Sequence, residues 1–133
     1  MEIHLKIVGV LLIGVSLIHI TFPKNFNWKK ELSTLSLVNK QMMYIHTIFI
    51  AITLILIGLL CIFSSKELVE TSLGSKIALG LFVFFVIRLY VQFFGYSSEL
   101  WKGKRFETIV HILFSIFWTY VSVVFFIVYW MFS

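Results

Sequence analysis

The sequence predicts an all-α integral membrane protein, a four-helix bundle running up-down-up-down, and three observations predict it. Of its 133 residues, 60% are hydrophobic and only 13% charged, whereas soluble domains carry about a quarter charged residues. The mean hydropathy is +1.02. The apolar residues fall into four runs, Ile3 to Phe22, Met42 to Phe63, Ile77 to Tyr96 and Phe106 to Phe132, each long enough or nearly so for the ~20 helical residues that cross a hydrocarbon core of ~30 Å. Nothing sizeable is left between them, so no soluble catalytic domain, receptor domain or tail is expected.

Composition narrows the chemistry. Cys61 is the single cysteine, which excludes an intramolecular disulfide and any Cys-x-x-Cys zinc or redox motif. There is no aspartate, so chemistry needing an intramembrane carboxylate pair is close to excluded. The net charge of +5 does not point to nucleic acid, because the basic residues sit at span ends beside Trp28, Trp101 and Phe106. That is the pattern of membrane anchoring, and the lipid bilayer is the expected partner.

The first span opens with Glu2, His4 and Lys6 at the boundary, where long side chains can reach outward. No small-residue cleavage pattern follows His19 and the run ends in Thr-Phe-Pro, so the segment reads as a mature helix and not a signal peptide. Its polar face is Ser16 and His19, and Pro23 ends it. In loop one, Asn27 is a fair N-cap. Trp28, Leu32, Leu35 and Val38 or Met42 recur at helical spacing opposite Lys29, Lys30, Ser33 and Ser36, which predicts a short interfacial amphipathic helix over about residues 28–38. The second span carries His46 one turn inside its start. Loop two, Ser64 to Lys76, is polar and neutral and shows no chemistry.

The third span holds the most informative stretch, Arg88 to Tyr96. A central intramembrane arginine costs about 2.5–3.5 kcal/mol on insertion scales and almost always faces a bundle interior or a watery cavity. Arg88, Gln92 and Tyr96 are spaced by four and form one polar stripe on a helix. The fourth span adds Glu107, His111, Ser115, Thr119 and Ser122 at spacings of four, four, four and three, a second stripe.

At 1.5 Å per residue, His19, His46, Gln92 and His111 fall in one layer, one from each span. The halves of the chain also echo each other: Lys40 and Arg105 precede His46 and His111 by six, and His19 and Gln92 precede Trp28 and Trp101 by nine, as in a duplicated hairpin. Loops one and three hold Lys24, Lys29, Lys30, Lys40, Lys102, Lys104 and Arg105, against Lys6, Lys66 and Lys76 on the other side. The positive-inside rule then places loops one and three in the cytoplasm and both termini outside the inner membrane.

Several functions stay open. His19, His46 and His111 have the ligand count of an open metal site, with Glu107 as orienting neighbour, and paired histidines can hold haem, which would suit an oxidoreductase. Arg88 opposes a bare divalent cation. A polar cavity in which Arg88, Gln92, Tyr96 and the histidines bind a small polar or anionic ligand, such as a lipid head group, quinone or carboxylate, suits the arginine better. Whether the chain is an enzyme is not decided by these residues. A transport or proton-relay unit built as a homo-oligomer, and a structural subunit whose arginine meets a membrane partner, are the alternatives.

The stretch Ile18 to Trp28, Ile-His-Ile-Thr-Phe-Pro-Lys-Asn-Phe-Asn-Trp, resembles that of small four-helix bacterial inner-membrane proteins of uncharacterised function. The likeness in architecture covers the whole chain, and in size and span count it is similar to the DoxX-like group. No residue motif of that group is matched beyond the first span, so the resemblance implies a fold and carries no catalytic residue.

Overall fold

The computed structural model describes residues 1–95 and 103–132. Among these the structure is helical, without strands, in the order α1 Glu2–Ile20, α2 Phe22–Asn25, α3 Trp28–Glu31, α4 Leu37–Phe63, α5 Ser65–Glu70, α6 Ser72–Phe94 and α7 Arg105–Phe132. Four of them, α1, α4, α6 and α7, are long and apolar enough to cross a membrane, which makes this a multi-pass membrane protein. The chain divides into two compact units, Ile3–Ser65 and Lys66–Ser133, the second taking in Met1–Glu2.

In the first unit, α1 buries Leu5, Val8, Gly9, Leu12, Val15 and Ser16, a stripe at the three-and-four spacing of one helix face. The Ser16 hydroxyl donates to the Ile13 carbonyl at 2.7 Å, so its burial leaves no donor unmet. On α4 the buried residues are Ala51, Leu54, Gly58 and Cys61. The two stripes meet at a pair of glycines. A Cβ on Gly9 would lie 2.6 Å from the Gly58 carbonyl oxygen, and one on Gly58 would lie 2.8 Å from that of Gly9. Only residues without a side chain let the two backbones approach this closely.

The connection between α1 and α4 departs from the expected continuous helix over residues 28–38. Pro23 sits in the first turn of α2, where its missing N–H is no loss. Asn27 takes a left-handed conformation with φ of 53° and makes no side-chain cap, a role that asparagine tolerates better than most residues. Helix α3 stops at Glu31. The Ser33 hydroxyl donates to the Lys30 carbonyl at 2.6 Å, and Ser36, in an extended conformation, accepts from the Asn39 N–H as the N-cap of α4. These serines compete with a continuing helix for backbone groups. Helix α4 therefore starts at Leu37, five residues before the expected Met42, and its 27 residues reach about 40 Å. Trp28 is buried and meets Tyr44 of α4 edge-on at 5.3 Å.

In the second unit, Thr71 joins α5 to α6. Its hydroxyl donates to the Glu67 carbonyl at 2.6 Å and accepts from the Gly74 N–H at 2.9 Å, which starts α6 at Ser72, five residues before the expected Ile77. A Cβ on Gly74 would collide with the Glu67 carbonyl oxygen and Leu68 Cα, so this tight turn needs a glycine there. Helices α6 and α7 pack antiparallel, as the contact ladder Phe93 with His111, Phe85 with Trp118, and Phe82 with Phe126 shows. Phe85 and Phe125 stack at 5.8 Å with rings 5° apart, and both are fully buried.

Candidate intramembrane polar site

The polar groups of the third span are held by the α6–α7 pair. Gln92 is 6% exposed and its amide joins two neighbours. Arg88 Nη1 donates to Gln92 Oε1 at 3.2 Å, and Gln92 Nε2 lies 2.8 Å from His111 Nδ1 across the helix interface. Because the arginine can only donate, it fixes which way the amide faces. The NH₂ group then points at His111, Nδ1 accepts, and the proton of the neutral ring is on Nε2. Phe93 meets the imidazole edge-on at 6.1 Å.

One turn further along α6, the Arg88 guanidinium carbon lies 4.9 Å from the ring centroid of Trp118. An arginine over an indole face gains about 0.5 to 2 kcal/mol, more as water is removed. Trp118 is 3% exposed. Its ring stacks on Phe85 at 5.7 Å and on Phe114 at 6.5 Å. The charge of Arg88 thus sits beside a column of near-parallel rings, between a neutral amide and an indole.

Trp118 belongs to this site although the polar pattern of the fourth span passes it by. The sequence stripe Glu107, His111, Ser115, Thr119, Ser122 follows steps of four, and each such step turns an α-helix about 40° past a full rotation. Thr119 accordingly falls on the exposed side, and its hydroxyl donates back to the Ser115 carbonyl at 2.7 Å. The inward stripe is His111, Ser115, Trp118, Ser122 and Phe125, with steps of four, three, four and three. Trp118, seven residues after His111, was visible in the sequence only as an aromatic at heptad spacing.

The remaining expected site residues are placed as follows. Tyr96 lies outside the described residues. Glu107 is exposed in the first turn of α7, where a carboxylate suits the helix N-terminus. His19 belongs to the first unit; its Nδ1 bonds the Val15 carbonyl of its own helix at 2.9 Å, and its ring lies 4.7 Å from Phe22. His46, also in the first unit, is exposed on α4. Among the described residues no group of three or more His, Cys, Asp or Glu side chains gathers to hold a metal ion. The three-histidine cluster with Glu107, and with it the metal or haem reading, finds no support here.

Compared with known proteins, the chain matches no family model, no curated protein and no solved structure. The resemblance to small four-helix bacterial membrane proteins therefore rests on sequence architecture alone.

Proposed function

We propose that this multi-pass protein binds a small polar or anionic ligand within the membrane, at Arg88, Gln92 and His111 of the α6–α7 hairpin. The observation that carries the reading is the Arg88–Gln92–His111 chain, with Arg88 laid on Trp118, in the C-terminal part of α6 and the N-terminal half of α7, both mainly apolar helices. Internal contacts make the arginine tolerable: the cation–π contact with Trp118, about 0.5–2 kcal/mol, and the bond to Gln92 on its own helix offset part of its insertion cost. A leucine at the same position would avoid that cost altogether, which is why an intramembrane ionisable residue reads as functional by default. The sign of the charge favours a guest that accepts hydrogen bonds over a cation. With Gln92 Oε1 already engaged by Arg88, the amide adds no strong pull on a cation.

The same hydrogen bond between Gln92 and His111 favours a second reading, in which the network is an interhelical clamp in a structural subunit. Extraction of protein purified in mild detergent separates the two. A small polar or anionic compound recovered in near-stoichiometric amount, and lost from Arg88→Leu, supports the binding site. Arg88→Leu protein that is folded, more stable and unchanged in what it retains leaves only the clamp.

The reading includes an up-down-up-down course of α1, α4, α6 and α7 in the inner membrane, with the connections α1–α4 and α6–α7 in the cytoplasm, supported by the excess of Lys and Arg there. Reporter fusions at the C-terminus test it: a signal from the cytoplasmic side would reverse the orientation.

A further inference from the structure

The connection between α1 and α4 folds onto a length of α4 that runs past the end of α1. The two helices touch at Gly9 and Gly58. From there Ile20 lies eleven residues along α1, about 16 Å, and Tyr44 lies fourteen residues along α4, about 21 Å. Trp28 of α3 meets Tyr44 at 5.3 Å, so α3 is docked about 5 Å beyond the end of α1. The 19 residues of α1 reach about 28 Å, close to the thickness of a hydrocarbon core, and the headgroup layer outside such a core is about 5–7 Å deep. With α1 across the core, α3 falls in the layer of the lipid phosphates, where tryptophan and tyrosine are the usual anchors.

The segment is strongly basic. From Thr21 to Ser36 the chain has Lys24, Lys29 and Lys30 against the single acid Glu31. All three lysines are exposed, and among the described residues no hydrogen bond or ion pair engages their ammonium groups. Asn27, with φ of 53°, folds α2 onto α3. Its N–H donates to the Lys24 carbonyl at 3.3 Å, and its own carbonyl accepts from the Lys30 N–H at 3.1 Å. One residue thus ties the backbones of two lysines, and the buried Trp28 fixes the third beside it. Phe26, between these lysines in sequence, is 59% exposed. Loop two has no such excess, since Lys66 and Lys76 are matched by Glu67 and Glu70.

We propose that the α2–α3 segment is a binding surface for anionic phospholipid headgroups, with Lys24, Lys29 and Lys30 meeting the lipid phosphates and Phe26 entering the acyl boundary. The surface belongs to the first unit and does not draw on the reading of Arg88. Exposed lysines beside an exposed aromatic ring are the chemistry of an interfacial anchor. Each lysine near an anionic membrane surface is worth about fivefold in binding. An ammonium is a point charge with freely turning donors, which suits phosphodiesters that arrive in many orientations. A choline headgroup carries a positive charge of its own beside the phosphate, so the lysines favour lipids with net negative charge.

The test mixes the full chain, in mild detergent, with equal amounts of phosphatidylglycerol and phosphatidylcholine of the same acyl chains and counts bound lipids by native mass spectrometry. Wild type is expected to bind its first phosphatidylglycerol about tenfold or more tighter than phosphatidylcholine. Lys24→Gln/Lys29→Gln/Lys30→Gln is expected to bind phosphatidylglycerol at least about tenfold more weakly, from about fivefold per lysine. Lys66→Gln/Lys76→Gln, which removes charge from loop two, should bind it like wild type. A wild type without preference overturns the proposal. So does a triple variant that binds like wild type, because the lipid then sits elsewhere, or a loop-two variant that loses as much, because net charge then accounts for the binding. Displacement by an equal concentration of glycerol phosphate would overturn it in favour of a soluble phosphate ester. Should the triple variant not fold, wild type alone decides: raising ammonium acetate from 0.1 M to 1 M shortens the Debye length from about 10 Å to about 3 Å and should cut the preference about fivefold or more. A preference unchanged by salt overturns the proposal.

Discussion

The bond between Gln92 and His111 is a direct polar link between α6 and α7, and a double-mutant cycle measures it. Gln92→Leu removes both bonds of the amide at a position only 6% exposed. The interhelical bond is short at 2.8 Å; such bonds in membrane proteins contribute about 0.6 kcal/mol on average and about 1.7 at most. Arg88 is only half-buried, so losing its Gln92 acceptor adds no more than about 1 kcal/mol, the low end for an unmet donor, and Gln92→Leu should cost about 1–3 kcal/mol in all. His111→Phe keeps a ring opposite Phe93 and loses the Nδ1 acceptor, at about 1–3 kcal/mol. In the double variant no amide is left facing a missing acceptor, and its cost should fall short of the sum by about 0.6–1.7 kcal/mol. Reversible unfolding in mixed micelles with rising dodecyl sulfate, followed by circular dichroism, provides the readout. Additive costs, within about 0.3 kcal/mol, would show that the two side chains are not coupled and would remove the central contact of the site.

Other expectations follow from single contacts. Gly58→Val should destabilise by about 1–3 kcal/mol through overpacking against the Gly9 carbonyl and Ile13, while Gly14→Ala, with nothing within 4 Å of the added carbon, should change stability by no more than about 0.5–1 kcal/mol; equal effects in thermal unfolding would refute the close crossing. Thr71→Val loses the cap of α6 and should cost about 0.5–2 kcal/mol, read in the same unfolding assay, with no loss meaning that the Gly74 N–H has another partner. Elemental analysis and the absorption spectrum of protein purified without chelator should show neither a stoichiometric transition metal nor a Soret band. A metal or Soret band that disappears in His46→Ala or His111→Ala would restore the histidine cofactor reading.

The sequence by itself determined the four long apolar helices, because the length of an apolar run and the cost of exposing a helix backbone to lipid leave few alternatives. It also marked Arg88, Gln92 and His111, since charged and polar side chains stand out in apolar surroundings. Helix starts set by side-chain caps were not legible in the apolar runs. Ser36 and Thr71 begin α4 and α6 five residues before the apolar runs do, because capping depends on backbone conformation and not on hydropathy. Which polar residues meet was decided by tertiary structure. A step of four drifts around the helix, so it took the packing of α6 on α7 to turn Thr119 outward and bring Trp118 beneath Arg88. The tautomer of His111 likewise followed from the way Arg88 orients the Gln92 amide, a fact of three side chains in contact that spacing along the chain does not contain.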